Sequence, residues 1–359
     1  MSKIQLRGAL AVVAGTLLCT LPFSAMAAQL RIIQTNFAGD TIHVIDPATN
    51  KVVAQIGGVE AAHGIVTSPD GARIYLSEEV DDTLNVIDGK TLKFTKKIKL
   101  SGNPNLIDIT PDGKTIYVAI ALSYSDLSDF PRIKAAASGG VDVIDTATLQ
   151  RVKTIPMKSG VHDLNVTPDG KYVIVGNARG GKANVMTVVD TGKNEIAWTM
   201  PMTPSPSPMA VSKNPDGSTK TIFAQNGSDN GFQVVDFATR KITNTIKLPN
   251  ITDQAQNPYG PPAASHGIAV TPDQKTLLVN SRFNSAVYSY SLPDLKFLGV
   301  ATLGGKGAGW LTITPDGKTA YIANEHTNDV SAVDIKSMKE TARIPVGFAP
   351  ARNIIWMQP

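Results

Sequence analysis

HGIVTSPDGARIYLSEEVDDTLNVID, residues 63–88, decides how this chain is read, because most of the downstream sequence is the same pattern again. Residues 311–334, LTITPDGKTAYIANEHTNDVSAVD, repeat its order: short apolar strand, Pro-Asp-Gly turn, second strand, polar loop, and a third strand ending in Asp. A recurrence every ~40–50 residues is the signature of stacked units or a propeller. The turn is written at Pro69-Asp70-Gly71, Pro111-Asp112-Gly113, Pro168-Asp169-Gly170, Pro215-Asp216-Gly217, Pro272-Asp273-Gln274 and Pro315-Asp316-Gly317. Proline presets φ, aspartate can bond its own backbone, and glycine takes the left-handed position, which Gln274 must fill in one copy. Third strands end at Asp88, Asp145, Asp190, Asp236 and Asp334, and a fourth strand comes after, as over residues 151–157 and 241–248. Four strands per unit with apolar residues at period two make a propeller blade.

The two ends of the chain complete the ring. Residues 32–46 match a second and third strand without a first, and residues 351–357 supply a first strand in the register of residues 307–313. Six whole blades and one shared blade predict an all-β, seven-bladed β-propeller, closed so that no sheet end is left open. It forms one domain over residues 28–359. Residues 1–27 read as a signal peptide, with Lys3 and Arg7 at its start, an apolar run from Ala9 to Leu21, and Ala25-Met26-Ala27 before the cut. The expected location is periplasmic or secreted, with no membrane span after cleavage and a monomeric chain. Cys19 lies in the leader, so the mature chain has no thiol, no disulfide and no covalent c-type haem. The formal charge of +4, falling to +2 once Lys3 and Arg7 are removed, is too weak to predict a nucleic-acid partner. Lys93, Lys96, Lys97 and Lys99 fall on an outermost strand, where lysines discourage pairing with another chain.

The PDG turns, Tyr75-Leu76-Ser77, Tyr117-Val118-Ala119, Tyr321-Ile322-Ala323-Asn324 and the Val-Ile-Asp strand ends resemble the YVTN family of β-propeller repeats. The quinoprotein amine dehydrogenase-like superfamily is its wider relative, and the resemblance covers nearly all of the mature chain. It implies the fold and leaves the activity open, since propellers of this kind include enzymes, scaffolds and ligand binders. An accessory role beside exported redox enzymes is one more implication of the resemblance.

Loops sort by face. PDG turns lie on one face. The opposite, upper face receives the loops between second and third strands and the links between blades, including long insertions at residues 122–140 and 250–265. Long loops on a regular scaffold usually carry function. His63, His162 and His266 share one repeat position, six residues before the turn proline, which is filled by Asn105, Met209, Gly309 and Asn353 in the other blades. With the shared blade counted first they fall in blades two, four and six, a loose triangle at the mouth of the central channel. Three neutral imidazoles there could bind a divalent metal such as zinc or copper, and they could equally be packing residues. The acidic loop from Glu78 to Asp82 suits hard cations or plain solvation. Glu78, Asn177, Arg179, Asn226, Arg282, Asn324, Glu325 and His326 are the candidate ligand-binding residues of the upper face, the arginines being able to clamp a carboxylate or phosphate. Residues 176–183, GNARGGKA, are no P-loop, because Ala183 stands where Ser or Thr would hold magnesium. The leading expectation is a ligand-binding or protein-interaction scaffold for a small molecule or another exported protein. The alternative is a metal-assisted lyase or lactone hydrolase at the channel mouth.

Overall fold

The structure, a computed structural model, describes residues 28–123, 139–176, 184–203, 206–226, 230–251 and 265–359. The leader and most of both long insertions lie outside them. Strands β1 (Gln29–Asn36) to β28 (Pro350–Gln358) form seven four-stranded antiparallel sheets, and the described residues contain no helix. Blade 1 has the order β28-β1-β2-β3, with β2 at Thr41–Asp46 and β3 at Lys51–Gly57, so the last strand of the chain is the innermost strand beside the first. Ile32 pairs with Ile355 and Ile33 with Ile354 across that closure. The remaining blades run on in sequence, and the seven-bladed expectation holds.

Each recurring residue of the repeat has a backbone task. In the PDG turns the aspartate accepts from the backbone two residues on and from a hydroxyl two residues back, as Asp112 does from Lys114 N–H (3.1 Å) and Thr110 Oγ1 (2.7 Å). Asp88 at the end of β6 (Thr83–Asp88) accepts from Thr91 N–H (2.7 Å) and Oγ1 (2.8 Å), and Asp145, Asp236 and Asp334 repeat this with Thr148, Thr239 and Ser337. Hydrogen bonds of this type hold Asp88, Asp145, Asp236 and Asp334 below the usual carboxylate range. Gln274 takes the glycine's left-handed position with φ of 61°. Its Oε1 accepts from the backbone N–H of Lys213 in the preceding blade at 3.0 Å, a contact glycine could not make.

Packing between blades supplies the core. Ile33, Ile42, Val44 and Trp356 of blade 1 lie against Ile65, Ile74, Leu76 and Ile87 of blade 2, all essentially inaccessible to solvent. Each such side chain contributes about 1.5–3 kcal/mol through burial. Neighbouring blades are also tied by polar contacts, Tyr117 Oη donating to Asn194 Oδ1 at 2.7 Å and Tyr321 Oη to Asn50 Oδ1 at 2.8 Å.

Candidate functional site at the channel mouth

Two of the three histidines, His63 and His266, stand where their innermost strands are irregular. In β4 (Ala62–Thr67) the register with β5 (Arg73–Glu78) shifts between Ala62 and Ile65; in β20 (Ser265–Val270) and β24 (Ala308–Ile313) it shifts between Ser265 and Ile268 and between Ala308 and Leu311. These are bulges, and a bulge re-aims the side chains it carries. The residues on them are His63-Gly64, His266-Gly267 and Gly309-Trp310. Glycine is required beside both histidines. A Cβ on Gly64 would lie 2.6 Å from the carbonyl oxygen of Asn105, and Gly267 has φ of 123° and would meet the carbonyl oxygen of Gly309 at 2.1 Å.

The imidazoles come together. Ring centroids are 6.2 Å apart for His63 and His162 and 6.1 Å apart for His162 and His266, each pair edge to face. Trp310 joins the group at 5.3 Å from His63 and 4.2 Å from His266, and Phe37 packs on His63 at 5.5 Å. Their environments differ. His63 Nδ1 is 2.6 Å from Glu79 Oε1, which also accepts from Asn105 Nδ2 at 2.9 Å. A carboxylate only accepts, so Nδ1 carries the proton and Nε2 is left with its lone pair. His63 Nε2 is buried and has no hydrogen-bond partner among the described residues. His162 Nδ1 lies 2.6 Å from Ser207 Oγ. His266 is held well below the usual histidine range, first by burial and then by electrostatic interaction with Arg282, the imidazoles His162 and His63, and Arg352, which makes it a neutral ring at neutral pH.

Arg282 reaches the same cluster from the rim. Its guanidinium carbon is 5.7 Å from the Trp310 ring centroid, and its Nη2 pairs with Glu325 at 2.5 Å. His326 is exposed next to this pair, and burial of part of its ring lowers its pKa. The other candidates separate from the mouth. Glu78 faces inward, accepting from Glu60 N–H at 2.7 Å, from Thr83 Oγ1 at 3.3 Å and from Asn85 Nδ2. Asn324 is buried and donates its amide to Asp329 and Ser331 at 2.7 Å each, within its own blade. Both side chains are engaged by neighbouring strand and loop groups. Asn177 and Arg179 lie outside the described residues, as does the side chain of Asn226. Among the described residues no group of three or more His, Cys, Asp or Glu side chains could hold a metal ion. The three imidazoles run as a row of edge-to-face contacts, His63 on His162 and His162 on His266.

Sequence reasoning passed over Glu79 as one acid in a charged loop, and it missed Trp310, Arg352, Asp108 and Asp163. Arg352, at the start of β28, is half-buried, and its guanidinium makes no hydrogen bond or ion pair with the described residues. It is felt electrostatically by His266, Asp108 and Asp163. Burial raises Asp108 and Asp163 to about 6 each, against the opposing attraction of Arg352. An acid within an apolar inner strand, as in LIDIT or HDLNV, was the available signal.

A closed ring with an imidazole cluster across its channel defines a seven-bladed propeller whose candidate site is carried on bulged inner strands. The family described as YNCE-like beta-propeller matches residues 5–131, and the family described as lactonase, 7-bladed beta-propeller, matches residues 157–344. The second match spans more than half of the sequence, and the chain belongs to that lactonase-type seven-bladed propeller family. Neither match bears the YVTN label; what they share with that reading is the propeller. No curated protein matches the chain. Among solved structures, the periplasmic gluconolactonase of Pseudomonas aeruginosa is similar with a TM-score of 0.72 at 14% identity, over 92% of this chain and 99% of that one. A functionally unknown protein of Desulfotomaculum acetoxidans gives the same values, and a chain of the hydrazine synthase of Kuenenia stuttgartiensis gives 0.68 at 20% identity, over 84% and 91%. At these identities the likeness is one of fold.

Proposed function

We propose that the chain is an exported hydrolase of lactones or similar cyclic esters, working at the channel mouth with His63 as general base and Glu79 as its orienting carboxylate. The observation that carries this reading is the 2.6 Å contact of His63 Nδ1 with Glu79, which leaves a buried Nε2 with no partner among the described residues. A carboxylate on Nδ1 fixes the ring and stabilises the imidazolium that forms when Nε2 takes a proton. In the proposed step Nε2 removes a proton from water as the water oxygen bonds to the ring carbonyl carbon. Arg282, across Trp310 from His63, stabilises the oxyanion. The ring C–O bond then breaks, the leaving oxygen takes the proton back from His63, and a hydroxy acid is released. Family membership and the likeness to the Pseudomonas aeruginosa gluconolactonase support the choice of lactones. Export, to the periplasm or beyond, is supported by the leader sequence and by the periplasmic location of that same relative.

The test is hydrolysis of a panel of five- and six-membered sugar lactones, followed by acid release. Turnover should fall about 10²–10⁴-fold in His63→Gln, and Glu79→Gln should also lower it. No hydrolysis above buffer, or full activity in His63→Gln, would sink the proposal. A second reading, a scaffold whose upper face binds another exported protein, is favoured by Val80 and Phe348, 60% and 61% exposed in upper-face loops. Capture of a partner by a protein inactive on the whole panel would select it.

A further inference from the structure

Below Trp310 the central channel holds a cavity of about 310 Å³, running along the inner strands of blades 4–7 from Pro208 toward the turn at Pro168. Arg352, Trp310 and Asn165 line it. Trp310 is only 5% exposed, and its indole N–H has no hydrogen-bond partner among the described residues. Asn165 Nδ2 is likewise buried and unpartnered, as is Oδ1 of the fully buried Asp163, in the same inner strand as Asn165. Native interiors rarely leave so many polar atoms without partners, and each one calls for an explanation. Here the unpaired atoms include one cation and two neutral donors around one small cavity.

We propose that this part of the channel binds a small monocarboxylate, its oxygens held by the Arg352 guanidinium, the Trp310 indole N–H and the Asn165 amide. His63 and Glu79 do not line this cavity, although Trp310 packs on His63 at 5.3 Å, and the proposal does not rest on the hydrolase reading. Charge selects the class. One arginine facing Asp108 and Asp163 can offset one negative charge, and a planar guanidinium matches the fork of a carboxylate. A doubly charged phosphate would meet two acids with a single cation to balance it.

The same arrangement links binding to a proton. Asp163 Oδ2 accepts from Met209 N–H at 2.8 Å, so a proton on Asp163 resides on Oδ1, the unpartnered oxygen, and turns it into a donor. Asp108 Oδ2 accepts from Val166 N–H at 2.8 Å. Arg352 acts on both acids, and Asp108 acts on Asp163; the neighbouring His266 is acted on by Arg282, His162, His63 and Arg352. With both carboxyls raised to about 6, the acids are neutral below that pH and oppose an anion above it.

The test is calorimetric titration of the full chain with acetate in carboxylate-free buffers, at about pH 5 and about pH 8. Saturable binding should weaken about tenfold or more at the higher pH, and proton uptake should accompany acetate binding at about pH 8 but not at about pH 5. Arg352→Gln should abolish binding. Asp163→Asn, which places an amide donor where the protonated acid would donate, should reduce the pH dependence, and Asp108→Asn with Asp163→Asn should remove it. Trp310→Phe keeps the ring and loses the donor, so it should weaken binding even if Arg352→Gln fails a circular dichroism check of folding. Absence of saturable binding, equal binding by Arg352→Gln or Trp310→Phe, or binding of sulfate, a dianion at both pH values, as tight as acetate would each overturn the proposal. Because the readout is binding, a chain inactive on every lactone can still pass it, and an active one can still fail.

Discussion

The ring closes where the PDG turn of blade 2 meets the last strand of the chain, and a single methyl group should pull that joint apart. Gly71 sits at φ of 72°; its carbonyl accepts from Trp356 Nε1 at 2.9 Å, and a Cβ placed on it would lie 1.9 Å from the carbonyl oxygen of Met357. Gly217 occupies the same turn position at φ of 86° with nothing within 4 Å of its Cβ. Gly217→Ala therefore isolates the cost of a left-handed alanine, about 1–2 kcal/mol. Gly71→Ala carries that cost and must also push the closing strand away, breaking the indole bond and leaving a buried carbonyl unpaired, which adds about 1–3 kcal/mol. The expected order is a loss of about 2–5 kcal/mol for Gly71→Ala against about 1–2 kcal/mol for Gly217→Ala. Urea unfolding of both variants, compared at equal slope, measures it. Trp356→Phe should lose about 1–3 kcal/mol alone and little more when combined with Gly71→Ala, since both remove one contact. Equal midpoints for the two alanine variants, within about 0.5 kcal/mol, would refute the claim that closure runs through this turn.

Two further outcomes rest on buried polar groups. Asp163, raised to about 6, binds its proton more tightly folded than unfolded, so its contribution is fully present below about pH 4 and is lost as pH rises through 6. The loss is about 3 kcal/mol at most, and urea midpoints across that window should slope downward in the wild type and less in Asp163→Asn. The turn aspartates lowered by their hydrogen bonds, Asp88 and Asp145 among them, act in the opposite sense and only at more acid pH. Tyr321→Phe and Tyr117→Phe should each lose about 1 kcal/mol by thermal or urea unfolding, because each removes one interblade hydrogen bond to Asn50 or Asn194. A neutral result for both would assign blade docking to apolar contact alone.

The fold was legible because its signature residues serve the backbone locally. Asp112 satisfies its own turn, and Asp88 with Thr91 closes the hairpin after the third strand, so the motif can be read without knowing which blade is next door. Period-two strands and the split first blade then fixed the count and the closure. Gln274 shows where local reading stops. It looked like a weakened turn, yet its side chain reaches into the preceding blade, a contact that no pattern within one repeat could reveal.

The site was half legible for the same reason. The shared register placed His63, His162 and His266 at one level of the ring, and their ring centroids stand 6.2 and 6.1 Å apart in sequence order. What distinguishes the three rings comes from outside the register: Glu79, just past the end of the next strand, for His63, Ser207 from the link into the following blade for His162, and surrounding positive charge for His266. Arg352 was the least visible, since its strand is the final one of the chain while its electrostatic partners lie in blades three, four and six. Yet the register that closes the ring gives Arg352 the repeat position of Ala308, so one cation stands where a small residue fills the neighbouring blade. A repeat protein gains regularity by making its positions alike; function is therefore to be sought at the positions where one copy departs in charge from the others. Arg352, Asp108 and Asp163 are such departures, and they surround one channel.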